Sequence, residues 1–165
     1  MACLGVLYAL TDTELAALCA RPEEERYEYM LEEIEERLLR TPRGYELDKA
    51  WQGIQLCLGR GKWSERNRVP LNILVGGEFL VDTEEDLISL KNHDDVRRIV
   101  DYLQRHEVKD IIRKNFPKVE ADSSGLPAYV TDLEYLLSNA EGLLPFYEYA
   151  LKEQLQVIFT VVLCA

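Results

Sequence analysis

Histidine is nearly missing from this 165-residue chain, with only His93 and His106 present. Catalysis that relies on imidazole therefore has few placements, and neither residue sits in a nucleophile motif. The serines, Ser64, Ser89, Ser123, Ser124 and Ser138, form no G-x-S-x-G elbow, and neither an H-E-x-x-H helix nor a cysteine–histidine spacing for zinc is present. Hydrolase and metalloenzyme readings lose ground, and neither a metal site nor a cofactor is expected. Cysteine is sparse too. Cys3, Cys19, Cys57 and Cys164 lie far apart in apolar surroundings without a C-x-x-C pair, so they read as buried thiols in a reducing compartment. The N-terminus lacks the basic region of a signal peptide. The longest apolar run, Val157 to Ala165 broken by Thr160, is well short of the ~20 residues that span a bilayer. The expectation is a cytoplasmic protein outside the membrane. Bases are the scarce charge: 30 acids against 19 bases leave a net of −11. Such a surface repels nucleic-acid phosphate and suits a basic protein partner or simple colloidal stability.

What is present is ordinary for a globular chain, 47% apolar and 30% charged residues. The length fits one domain spanning residues 1–165, able to bury roughly 70% of the surface its unfolded chain exposes. Residues 3–10, C-L-G-V-L-Y-A-L, read as a buried strand. Thr11 and Glu14 have capping-box spacing and open a short helix to about Cys19. After Pro22, the stripe Tyr27, Leu31, Ile34 and Leu38 predicts a second helix, whose other side carries Glu23, Glu24, Glu25, Glu28, Glu32, Glu33, Glu35 and Glu36. Helix electrostatics explains much of that run, with Arg37 and Arg40 four residues after two of the acids. Its other reading is an acidic docking face.

Residues 45–59 fit a helix with Leu47, Ala50, Trp51, Ile54, Cys57 and Leu58 on one stripe, which drives the indole into a core. Asp48, Gln52 and Gln55 fall along its flank. Next, G-R-G-K-W-S-E-R-N-R at 59–68 is a basic loop without P-loop spacing, where Arg60 and Trp63 are candidate partner contacts. The run P-L-N-I-L-V-G-G-E-F-L at 70–80 has the form of a hairpin turning at Gly76–Gly77, and 87–90 of a short strand. Asn92 and Asp95 start a helix that Val96, Ile99, Val100 and Leu103 carry to about His106, and another runs from Val108 to Phe116, where Pro117 ends it. Residues 117–131 lack periodicity. A helical stripe from Leu133 to Leu151 should kink near 141–145, and 155–163 reads as a strand covered on both faces. The fold class is α+β: a small antiparallel or mixed sheet, with both terminal strands as neighbours, packed by amphipathic helices.

L-D-K-A-W-Q-G-I-Q-L-C-L-G followed by P-L-N-I-L-V-G-G-E resembles the YfbM-like family of small, uncharacterised, mostly bacterial proteins, and the likeness extends along nearly the whole chain. The resemblance implies a single α+β domain and no assigned activity. Family members often carry histidine at the position of Gln55 and sometimes at that of Gln52, so histidine chemistry in relatives would not carry over here.

Two functions follow as expectations. The first is a non-catalytic protein-binding role, of interaction or immunity and defence type, with Trp63, Arg60, Glu32, Glu35 and Glu36 facing a basic partner. The alternative is a small-ligand binder or enzyme using a cleft beside Tyr45, Asp48, Gln52 and Gln55.

Overall fold

β1 (Gly5–Leu10) is the apolar opening strand that the sequence predicts, and all of its residues are buried. The structure, a computed structural model, describes residues 3–59, 63–122 and 124–162. β1 pairs antiparallel with β2 (Gly44–Asp48) on one side and β5 (Gln156–Val162) on the other. β4 (Asp86–Lys91) extends the sheet from β5, and β3 (Glu78–Asp82) closes it, giving the order β2-β1-β5-β4-β3 with every pair antiparallel. The terminal strands are sheet neighbours, as expected.

Strand alternation divides the interior into two layers. Val6, Tyr8, Leu10, Ile88, Leu90 and Ile158 point to one face, where α1 (Asp12–Cys19), α2 (Glu23–Tyr29) and a continuing π-helical turn (Met30–Glu35) cover them with Leu18, Met30 and Ile34. That turn leads into α3 (Glu36–Leu38). Its wider winding moves each residue through a smaller rotation, so Met30 is buried where the stripe places Leu31, and Leu31 is exposed. Leu7, Ala9, Val157 and Phe159 point to the other face and the larger core. That core is closed by α4 (Trp51–Leu58), α5 (His93–Arg105), α6 (Val108–Ala121), α7 (Leu133–Ala140) and α8 (Leu143–Lys152).

The predicted capping box at Thr11 forms, and the helix start at Asn92 is a second one. Thr11 Oγ1 accepts from the Glu14 amide at 3.1 Å, and Asn92 Oδ1 accepts from the Asp95 amide at 2.9 Å. Other expectations need correction. Tyr45 to Asp48 belong to a strand, because pairing with β1 outweighs a helical pattern to which Leu47 conforms equally well. α6 runs through Pro117 to Ala121, held by burial of Phe116 and Val119 in the larger core, and this shortens the aperiodic loop. The expected kink is a break between Ala140 and Leu143, leaving Pro145 in the first turn of α8, where no intrahelical bond is lost. Cys57 is a buried thiol and Cys19 a half-buried one, but Cys3 is disulfide-bonded, so the reading of four buried thiols fails there. Cys164 lies outside the described residues.

The largest departure concerns residues 70–75, which form turns rather than a strand, so that the hairpin is β3–β4, turning at 83–85. Leu71, Asn72, Ile73 and Leu74 are nonetheless buried. Irregular backbone can enter a core only if side chains take its polar groups, and here several do. Gln55 donates to the Leu71 carbonyl (3.3 Å) and accepts from the Val75 amide (3.1 Å). The Tyr147 hydroxyl donates to the Ile73 carbonyl and Ser89 Oγ to that of Leu74 (3.2 Å). Lys91, wholly buried, donates from Nζ to the Gly76 carbonyl at 2.8 Å and to Ser89 Oγ at 2.5 Å. The two glycines permit close approach. A Cβ on Gly76 would lie 2.2 Å from the Arg66 carbonyl oxygen, and Gly77 has φ 118° against the Leu90 carbonyl.

Burial holds the Lys91 pKa well below its ordinary 10.5. Between the lowered folded value and the unfolded one the unfolded chain binds more protons, so this group makes stability rise with pH up to about 10.4. Burial also keeps the Tyr147 phenol protonated well above pH 10, which reverses the trend beyond that point. Urea denaturation at successive pH values from 7 to about 10 should therefore show Lys91→Met losing ground to the wild type as pH rises; parallel curves would contradict a buried, titrating amine. Gln154 closes α8 with φ 55°, its successor Leu155 donating back to Ala150 at 2.8 Å. Glycine is preferred at such an ending, and Gln154→Gly should raise unfolding free energy by about 0.5–1 kcal/mol.

Candidate functional site

Arg26 sets the geometry of the acidic region. Its three guanidinium nitrogens donate to the carbonyls of Arg21 (3.0 Å), Cys19 (3.0 Å) and Leu80 (2.7 Å), which ties the start of α2 to β3. The β3–β4 turn beside it is shaped by Thr83, whose hydroxyl accepts from the Glu85 and Asp86 amides at 3.2 and 2.9 Å. Between helix and turn opens a cleft of about 360 Å³ lined by Glu23, Glu24, Tyr27, Val81, Thr83, Glu84, Glu85 and Asp86. Five carboxylates from two distant stretches thus surround one phenol ring and one valine. None of the five has an ion-pair partner among the described residues.

The crowding appears in the electrostatics. Burial, then Asp86 and Glu35, push the Tyr27 phenol up to about 12. Burial, then Glu85, raises the Asp86 carboxyl above its usual value. A cation entering here would relieve both. On the other side of α2 a smaller hollow of about 220 Å³ is lined by Arg21, Glu25, Glu28, Tyr29, Glu32 and Glu33. There Arg21 already lies over the Tyr29 ring, 4.9 Å from its centre. The first cleft has the same kinds of wall and no lining base of its own.

Of the partner-facing residues read from the sequence, Glu32 and Glu36 are exposed and Glu35 is half-buried near Tyr8 and Tyr27. Arg37 does not pair with the carboxylate four residues before it; it donates to the Glu33 carbonyl (2.6 Å) and to Glu14 (3.3 Å). Arg60 and the side chain of Trp63 lie outside the described residues. What sequence reading missed is the contribution of Glu84, Glu85, Asp86 and Tyr27 to one cleft, since only packing joins them.

The Tyr45, Asp48, Gln52 and Gln55 set is placed differently from a row along one helix. Tyr45 and Asp48, on β2, face α7. The Tyr45 hydroxyl donates to the Asn139 carbonyl and accepts from the Gly142 amide at 3.0 Å. The Tyr135 hydroxyl donates to the Asp48 carboxylate and accepts from the Lys49 amide at 3.1 Å; burial, then Asp48, raises its pKa. Asp48 itself has φ 53°. Gln55 is directed at residues 71–75, as above, and Gln52 is half-buried on α4. Trp51 is half-buried against Phe159, with ring centres 5.9 Å apart, and donates from Nε1 to the Cys3 carbonyl at 2.7 Å. Among the described residues no group of three or more His, Cys, Asp or Glu side chains could hold a metal ion, and no helix is long and apolar enough to cross a membrane.

No curated protein matches the sequence. Among solved structures the chain is similar to YfbM from Escherichia coli, a protein of unknown function. The identity is 15% and the TM-score 0.67, over 96% of this chain and 99% of that one. A likeness at that identity shows the fold alone. A family model covers residues 1–160 and is described as Domain of unknown function (DUF1877). By that match over nearly its whole length, the chain belongs to the DUF1877 family, the YfbM-like group that its D-K-x-W block resembles.

Proposed function

We propose that the protein acts by binding a basic protein partner rather than by catalysis, and that the cleft between α2 and the β3–β4 turn receives a cationic side chain of that partner. The observation that carries this reading is the convergence of Glu23, Glu24, Glu84, Glu85 and Asp86 around the Tyr27 ring without a lining base. A guanidinium or ammonium over a tyrosine gains from the ring quadrupole as well as from the carboxylates. The overall charge of −11 would steer such a partner in at rates that fall with salt. Glu32 and Glu36, exposed on the same helical run, extend the charged surface beyond the cleft.

The test is capture from lysate by the wild type and by a variant in which Glu23, Glu24, Glu84 and Glu85 are all glutamine, each first shown to melt cooperatively. Partners held by this surface should be lost from the variant and released from the wild type by raised salt. Retention of every partner by the variant would refute the reading. Because Asp86 ionises late, binding of the same partner should also strengthen as pH rises through the acid range.

A further inference from the structure

Pairing of β1 begins at Gly5, which lies opposite Asp48 of β2 and Val161 of β5. Residues 3 and 4 precede that ladder, with Cys3 half-buried and Leu4 44% exposed. A chain end outside a ladder frays unless something ties it down. Here a covalent bond and a hydrogen bond do so. The Cys3 sulfur is in a disulfide, and the Cys3 carbonyl accepts from Trp51 Nε1 at 2.7 Å. The indole in turn lies on the backbone of Gly5, where an added Cβ would come within 2.7 Å of the indole Cγ, and against the Phe159 ring of β5. Trp51 opens α4, the helix whose Gln55 clamps residues 71–75. A disulfide at the margin of the sheet is thus joined, through one carbonyl and one ring, to the seat of that helix.

We propose that the Cys3 disulfide is a redox latch: closed, it holds residues 3 and 4 beside the Trp51 indole, and opened by a small thiol of the glutathione class it lets that indole loosen and meet water. In the opening step the protein S–S bond breaks and a new S–S bond forms between two reductant sulfurs. Those two thiols supply two electrons and two protons, and both protein sulfurs end as thiols. Exchange of this kind needs a sulfur that a thiolate can approach, and Cys3 is half-buried beside the larger core rather than enclosed in it. The ladder from Gly5 onward and the clamps on residues 71–76 do not use the bond, so both states keep the fold. The latch acts at α4, apart from the acidic cleft, and either can fail without the other.

The sequence has two tryptophans, so Trp63→Phe leaves Trp51 as the reporter. The full chain with that substitution is equilibrated in buffers of rising reduced-to-oxidised glutathione ratio. Trp51 emission, its quenching by acrylamide and the number of cysteines alkylated after an acid quench and denaturation are then read together. Alkylation should rise from two of the four cysteines to all four. Emission should move to the red and quenching increase in step, oxidised glutathione should reverse all three, and far-ultraviolet circular dichroism should stay unchanged. Cys3→Ser should give the reduced signal in every buffer. Four reactive thiols in oxidised glutathione, emission that ignores the thiol count, a response that survives Cys3→Ser, or opening only with loss of circular dichroism would each overturn the proposal.

Discussion

A carbonyl or amide shut away from water without a partner costs about 1–3 kcal/mol, and the architecture of this protein turns on how that cost is avoided for residues 71–76. The segment is neither helix nor strand, yet it lies inside the larger core. Gln55 from α4, Ser89 and Lys91 from β4, and Tyr147 from α8 each supply a hydrogen bond to it. Those three elements are thereby held in register around one stretch of chain. Lys91 is the extreme case, since an amine is brought into a wholly buried position against the Phe159 ring. The block that includes the D-K-x-W residues and the double glycine is therefore legible as architecture: the glutamine clamps, and the glycines let backbones touch.

Features written in residues close together were readable in advance. The Thr11–Glu14 and Asn92–Asp95 boxes depend on a spacing of three, and β1 and β5 on mostly apolar runs. Features that depend on distant partners were not. Leu47 satisfies a helical period and a strand period equally, and only β1 decides between them. Residues 71–75 look like a strand because their apolar character records burial and not geometry. Nothing beside Lys91 in L-I-S-L-K announces a buried amine. The site shows the same division. The glutamates of α2 were visible as a charged run, but their meeting with Glu84, Glu85 and Asp86 depends on how Arg26 anchors the helix to the sheet.

Charge and packing occupy separate regions of the molecule. The larger core carries most of the apolar burial and the buried polar clamps, whereas the α2 face of the sheet is thinly covered and rimmed by carboxylates. The exposed acids can change without disturbing that core.

The Arg26 contact to Leu80 has one more implication. β3 is an outer strand, and the main-chain oxygen that a foreign strand would seek at Leu80 is already occupied by a guanidinium. A fibril-forming neighbour would have to expel that arginine before adding to this border, and would meet a field of like charge as it approached. Protection of an open sheet border thus comes from the way one helix is fastened down.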